Sequence, residues 1–360
     1  AQSLDEGVAD VVPENELEIE PSGTSMSDTE SKNNSPKNAG SSSEGLSTRP
    51  DEDDAHSRLQ RVPTVQVQKV RELGRGTYAT VWLGKWRGAP VAIKEMHSSN
   101  FEGEQGEQQL ADFYREQCVL ASMAHPNVVG FYGVVEGEKG LSTVTEYVKG
   151  GSLKSCLSKL KKRCVDNAAR FGNATRVKLA ADAARGLEYL HWRRVIHFDV
   201  KGDNILADVR DLRNPVGKVG DLGLAKLKHS TFVSGNMRGT LPWMAPELFP
   251  TLPGSAGDPL KSSSCYQADR VTEKIDVYSF GVLLWEIWTW GEVPYKGMEM
   301  TAIFFGMMHN SLRPAKPVTP APAEGWQELM EAKARCRNSS PTARRELHSS
   351  FHRYLRCSDP

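Results

Sequence analysis

From Val65 onward, apolar and polar residues alternate: V-Q-V-Q-K-V, then L-G-R-G-T-Y-A-T-V-W-L-G-K-W, then P-V-A-I-K-E-M. A period of two is that of a half-buried strand, so the pattern predicts three strands joined by tight turns. The spacing then changes to steps of three and four. Between residues 108 and 124, Leu110, Phe113, Leu120 and Met123 fall on one helical stripe, and Glu116 falls within it. After His125-Pro126-Asn127, the short apolar runs VVGFYGVV and LSTVTEYV add two strands, which completes a five-stranded sheet. The second run meets Lys149-Gly150-Gly151-Ser152, a turn signal. Residues 174–191 read as a helix whose inner side carries Val177, Ala181, Ala184, Leu187, Tyr189 and Leu190, whereas the polar run from Lys159 to Asn173 reads as an irregular surface insertion. The Gly, Pro and Ser-rich stretch between Leu248 and Asp269 reads as another. A helix from about Lys274 (KIDVYSFGVLLWEIWTW) is apolar almost all round and is expected to be fully buried.

Charge changes this picture at the N-terminus. The net charge of the 360 residues is zero, but residues 1–60 carry fourteen Asp and Glu against four Lys and Arg, a balance of minus ten, which leaves plus ten for the remainder. Residues 1–62 are also rich in Ser, and the first 60 hold no Phe, Tyr or Trp. Such a segment buries too little apolar surface to offset its ordering entropy, so it is expected to be disordered. The chain, at 39% hydrophobic overall, can build one large or two modest domains. The six cysteines form no C-x-x-C pair and no zinc-type spacing, as expected of free thiols in a reducing, cytoplasmic setting. No run reaches the ~18 apolar residues of a membrane span, and the first ten residues lack the basic and apolar regions of a secretory leader. The chain opens on Ala rather than Met, as a piece of a longer protein would. Neither a nucleic acid nor a membrane is expected as a partner.

Four segments carry candidate chemistry: G-x-G-x-x-A-x-V at Gly74–Val81, V-A-I-K ending at Lys94, H-F-D-V-K-G-D-N at His197–Asn204, and D-L-G at Asp221. A Gly-rich loop alone is weak evidence, because a dinucleotide fold has one too. That fold requires a helix to begin at the loop, however, and here a β-rich run follows. Gly74 and Gly76 let backbone N–H groups close over phosphates where a β-carbon would hold them off. A lysine ending a strand is ordinarily just solvated. Glu116 singles out Lys94, because a carboxylate on a buried helix face is costly unless paired, the alternative being that Glu116 sits at the edge of the stripe. Asp276 is either a plain helix-start acid or an anchor for the catalytic segment.

Together, in this order, the four motifs resemble a protein kinase. The wider stretches HFDVKGDN, VGDLGLAKL and GNMRGTLPWMAPELF resemble the plant-type Raf-like kinases of the tyrosine-kinase-like group, usually placed as mitogen-activated protein kinase kinase kinases. The resemblance spans roughly residues 66–347 and implies the two-lobed α+β kinase fold. A five-stranded antiparallel sheet plus one helix would form the N-lobe (about 66–148), and a mainly helical C-lobe would follow (about 149–356). It implies a serine/threonine kinase using ATP and Mg²⁺ on a protein substrate, which could itself be a downstream kinase; the alternative is a pseudokinase scaffold.

Residue by residue, the resemblance places Leu73, Gly74, Arg75, Gly76, Val81, Ala92, Lys94, Thr145, Glu146, Val148 and Leu206 around ATP. Thr145 would be the gatekeeper, and Val81, Ala92 and Leu206 would sandwich the adenine. Lys94, paired with Glu116, would meet the α/β-phosphates, Asp199 would take or orient the substrate proton, and Lys201 would offset charge on the moving phosphoryl group. Asn204 and Asp221 would hold Mg²⁺. Ser230, Thr231, Ser234 and Thr240 belong to the activation segment, and Glu247, Asp276 and Arg344 to the supporting structure. There are also departures from the family pattern: Ala79 for the third glycine, Phe198 for an arginine, Leu222 for a phenylalanine, Arg337 for a core tryptophan and Arg345 for a proline.

Overall fold

The computed structural model describes residues 59–103, 106–137, 140–163, 169–227, 239–249, 271–309, 311–318, 320–322, 324 and 326–327. Outside these lie residues 1–58, Ser230, Thr231, Ser234, most of the 248–269 stretch, Arg337, Arg344 and Arg345.

The alternating segments form strands β1 (Val67–Arg75), β2 (Ala79–Trp86) and β3 (Ala89–Met96), followed by helix α1 (Gly106–Ala121), β4 (Phe131–Gly137) and β5 (Gly140–Glu146). They build one antiparallel sheet in the order β1-β2-β3-β5-β4. β2 turns into β3 through Arg87 and Gly88, both at positive φ (50° and 86°), the primed turn whose twist matches that of the strands. On one sheet face Val91, Ile93, Val135 and Val144 make an apolar cluster with Val62. Leu59 and Val62, upstream of the expected domain start at 66, are buried. Val62 N donates to Val134 O (2.8 Å) and Val134 N to Gln60 O (2.9 Å), so this segment covers the open edge of β4.

α1 differs from the expected stripe. Phe113 and Leu120 are buried, but Leu110 is exposed near the helix start, and Met123 is buried beyond the helix end. The stripe is completed by a polar residue, Gln117, which donates to Phe113 O (3.2 Å) and accepts from Thr143 Oγ1 of β5 (2.8 Å). Its burial is tolerated because both hydrogen bonds are made.

The second half is mainly helical: α2 (Leu153–Arg163), α3 (Ala169–Trp192), α4 (Lys274–Trp288) and α5 (Met300–Met308), with short strands β6 (Val195–Ile196), β7 (Ile205–Asp208), β8 (Val216–Val219) and β9 (Lys226–Leu227). Where it is described, the expected insertion from Lys159 to Asn173 is helix. Lys159–Arg163 continue α2, whose Leu153, Cys156, Leu157 and Leu160 are fully buried at i, i+3, i+4 and i+7, while Lys159, Lys161 and Lys162 face solvent. Those lysines made an amphipathic helix look like a loop. Ala169–Asn173 open α3. α4 is buried along almost its whole length, as its composition predicts. Leu222 packs into the main core with Leu120 and Met123, so the sheet-side helix rests on it. Trp326 is also fully buried and donates Nε1–H to Leu284 O of α4 (3.3 Å).

Candidate active site

The Gly-rich loop is the turn from β1 to β2, closed by Gly76 N donating to Ala79 O (2.9 Å). A β-carbon on Gly74 would meet nothing within 4 Å, and one on Gly76 only Ala79 O at 3.6 Å. Protein packing therefore does not demand these glycines; the open side they face is where a phosphate can approach the backbone. The β2–β3 and β3–β5 registers set Val81 opposite Lys94 and Ala92 opposite Thr145, which puts all four on one sheet face. Leu206 lies on β7, bridged to Ser152 just after the inter-lobe turn. Glu146 spends its side chain on structure, accepting from Gly130 N (3.1 Å) and Lys218 Nζ (2.9 Å), and its backbone N–H donates to Gly130 O (2.8 Å).

Lys94 Nζ lies 2.8 Å from Asp221 Oδ1 and 3.9 Å from Glu116 Oε1. Burial works to lower the Lys94 pKa, but the charges of Asp221 and Glu116 outweigh it and hold it above the ordinary lysine range. Lys94, in turn, holds the Asp221 carboxyl below its usual range, while burial pushes Glu116 up against the same attraction. Lys94 thus stands within ion-pair distance of Glu116 and closer still to Asp221. Asp221 sits at φ 50°, a strained conformation for a non-glycine residue that aims its carboxylate between the two lobes.

The H-F-D-V-K-G-D-N segment links β6 to β7. Asp276, fully buried in the first turn of α4, accepts from His197 N (Oδ2, 2.8 Å) and Phe198 N (Oδ1, 2.9 Å) and meets His191 Nε2 at 2.8 Å. Its carboxylate thus ties the first turn of α4 to the backbone of that segment. Burial alone would raise its pKa; the His191 bond and charge and the His197 contacts keep it low. Phe198 stands at φ 69°, so the chain turns sharply to present Asp199. Asp199 Oδ2 accepts from Lys201 Nζ (2.7 Å) and Asn204 Nδ2 (2.7 Å), and Oδ1 from Thr240 Oγ1 (2.7 Å); Lys201 also donates to Thr240. Asn204 Nδ2 further donates to Asp199 O, leaving its Oδ1 as the atom able to ligate a cation. Asn204 Oδ1 and the half-exposed Asp221 carboxylate fit Mg²⁺, which binds through one or two carboxylates with phosphate oxygens and water.

One residue of this site was not anticipated. Glu286, fully buried on α4, accepts through Oε2 from Gly202 N (2.9 Å) and Trp243 Nε1 (3.2 Å), joining the catalytic segment to the turn that follows Thr240. Its Oε1 has no hydrogen-bond partner among the described residues, and a β-carbon on Gly202 would sit 2.3 Å from it. Burial raises its pKa to about 7, against the Gly202 bond. A carboxylate deep in an otherwise apolar helix was the available signal. Glu247 lies in the 3-10 turn Pro246–Leu248, and its expected partner Arg344 falls outside the described residues.

The chain matches the profile of the protein tyrosine and serine/threonine kinase family over residues 67–353. It is 34% identical over 246 residues to a probable serine/threonine-protein kinase of Dictyostelium discoideum (68% of this chain, 23% of that protein). It is 35% identical over 239 residues to the serine/threonine-protein kinase CTR1 of Arabidopsis thaliana (64% and 26%). It is 32% identical over 274 residues to mitogen-activated protein kinase kinase kinase 13-A of Xenopus laevis (75% and 23%). The chain spans about a quarter of the length of these relatives.

Proposed function

Because the chain belongs to the protein tyrosine and serine/threonine kinase family, we propose that it transfers the γ-phosphoryl group of Mg-ATP to serine or threonine hydroxyls of a protein substrate, a downstream kinase in a signalling cascade in the cytoplasm. The observation that carries this reading is the closed set Asp199–Lys201–Thr240, together with the Lys94–Asp221 pair. Asp199 offers carboxylate oxygens, fixed by three donors, to orient an incoming hydroxyl and take its proton. Lys201, fixed between Asp199 and Thr240, supplies positive charge beside the hydroxyl, where charge develops as the phosphoryl group moves. Lys94, oriented by Glu116, positions the nucleotide phosphates. Asn204 and Asp221 would hold Mg²⁺, which would supply positive charge to offset that of the phosphates. A scaffold without catalysis has no chemical need of Lys94, Asp199, Asn204 and Asp221 together, and the Dictyostelium and Arabidopsis relatives are named as serine/threonine kinases. The downstream kinase as substrate rests on the name of the Xenopus relative, and the cytoplasmic setting on the free Cys118 and Cys156.

The test is phosphotransfer from radiolabelled ATP to a generic basic protein, followed by phosphoamino acid analysis. Lys94→Met and Asp199→Asn should each lower turnover at least ~100-fold with the fold intact. Near wild-type turnover by Asp199→Asn, or phosphotyrosine as the product, would overturn the reading.

A further inference from the structure

Between the end of β3 at Met96 and the start of α1 at Gly106, the chain passes the tip of the phosphate-binding loop and is tied to it by four hydrogen bonds. His97 N and Asn100 Nδ2 both donate to Tyr78 O, at 3.0 and 2.7 Å. His97 Nδ1 lies 3.1 Å from Thr77 O, and His97 Nε2 lies 3.0 Å from Thr80 Oγ1. A carbonyl can only accept, so Nδ1 carries a proton, and in the neutral ring Nε2 accepts from the Thr80 hydroxyl. The imidazole therefore spans the turn from Thr77 to Thr80.

These contacts do little for the core. Tyr78 is exposed and His97 and Asn100 are only half-buried, so water could satisfy the same carbonyls. What the side chains do is remove freedom from the loop. The connector is itself braced: Asn100 N donates to His97 O (3.0 Å), a 3-10 turn spans Ser98–Phe101, and the Phe101 ring stands edge-on to Phe113 of α1, 6.3 Å between centroids. A continuous path thus joins the loop tip to the helix that carries Glu116.

We propose that His97 and Asn100 are positioning residues for nucleotide binding: they latch the phosphate-binding loop to the β3–α1 connector, so that the loop is ordered before the nucleotide arrives and is registered to the Glu116–Lys94 pair. The proposal rests on the kinase reading. Its physical basis is preorganisation, since a loop already held in place loses less entropy when the phosphates bind.

The test measures binding of Mg-ADP and Mg-ATP to the full chain by calorimetry, together with steady-state kinetics and nucleotide-free thermal melts. The variants are His97→Ala/Asn100→Ala and Asn100→Asp, the second keeping shape but replacing the donor to Tyr78 O with a carboxylate. The double variant should weaken nucleotide binding and raise the KM for ATP roughly 10- to 50-fold. The kcat should stay within about threefold, the KM for the protein substrate should be unchanged, and the nucleotide-free Tm should move by no more than about 2 °C. Asn100→Asp should shift ATP affinity in the same direction. Nucleotide affinity within twofold of wild type, or a loss of affinity matched by a large fall in nucleotide-free stability, would overturn the latch. A wild-type chain that bound no nucleotide would instead overturn the kinase reading, and the latch with it.

Discussion

At the residue scale, Phe198 and Thr240 show how much a single side chain decides. The resemblance puts an arginine at position 198, where it would pair with a phosphate on the activation segment; phenylalanine has neither charge nor donor. Phe198 is instead buried in an apolar cluster with Trp243, Met244 and Ala245, with Lys226 Nζ 6.0 Å over its ring. The catalytic segment is thus held by packing and by Asp276. Phosphatase treatment should accordingly leave activity within about threefold of the untreated protein, as read by phosphotransfer before and after. Phe198→Arg would bury a cation beside Lys226 and should cost ~3 kcal/mol or more, seen as a lower Tm, whereas Phe198→Leu should cost less than about 1.5 kcal/mol. Thr240→Val keeps the volume but removes the hydroxyl shared by Asp199 and Lys201. Turnover should fall roughly 10- to 100-fold with little change in melting, since a charge-assisted hydrogen bond contributes about 1.5–3 kcal/mol.

At the element scale, α4 organises the site through two buried carboxylates ten residues apart. Asp276 holds the start of the catalytic segment, and Glu286 holds its middle at Gly202 together with Trp243. Glu286 has its pKa raised from 4.5 to about 7, mainly by burial. Its charged form is therefore disfavoured in the folded state. As pH climbs from about 4.5, the unfolded chain sheds this proton before the folded one, so stability falls through that window and levels off above about 7. The full effect is roughly 3 kcal/mol at most. Glu286→Gln cannot ionise, so the fall in Tm between pH 5.5 and 8 should be smaller in the variant than in the wild type. Equal slopes would show that Glu286 does not titrate in this range.

At the scale of the whole molecule, the boundary of the catalytic unit lies further upstream than the strand pattern suggests, because Leu59 and Val62 are buried along the β4 edge. A chain beginning at Leu59 should keep the fold and match the full-length chain in phosphotransfer at ~0.5 M salt, where contacts of an acidic segment are screened. One beginning at Val65 loses both apolar anchors and uncovers the edge, and its Tm should drop by at least ~4 °C. Equal melting of the two truncated chains would show that the segment from 59 to 62 contributes nothing to stability.

Local pattern sufficed for whatever depends on periodicity or on a short motif. The five strands and the buried α4 could be read directly, because alternation and apolar runs are properties of neighbouring residues, while Lys94, Asp199, Lys201, Asn204 and Asp221 were singled out by the resemblance to kinases. Tertiary structure decided whatever depends on residues far apart in the chain. Leu110 belongs to the apolar stripe by spacing yet is exposed, because burial depends on what the neighbouring elements cover. The helical run Lys159–Arg163 looked like a loop because its lysines hide a single buried row. The partners of Asp276, Glu286 and His97 are invisible to periodicity, since each side chain meets backbone atoms between 20 and 84 residues away. A polar side chain inside an apolar helix announces in the sequence that it needs a partner; which partner it finds is decided only when the chain folds back on itself.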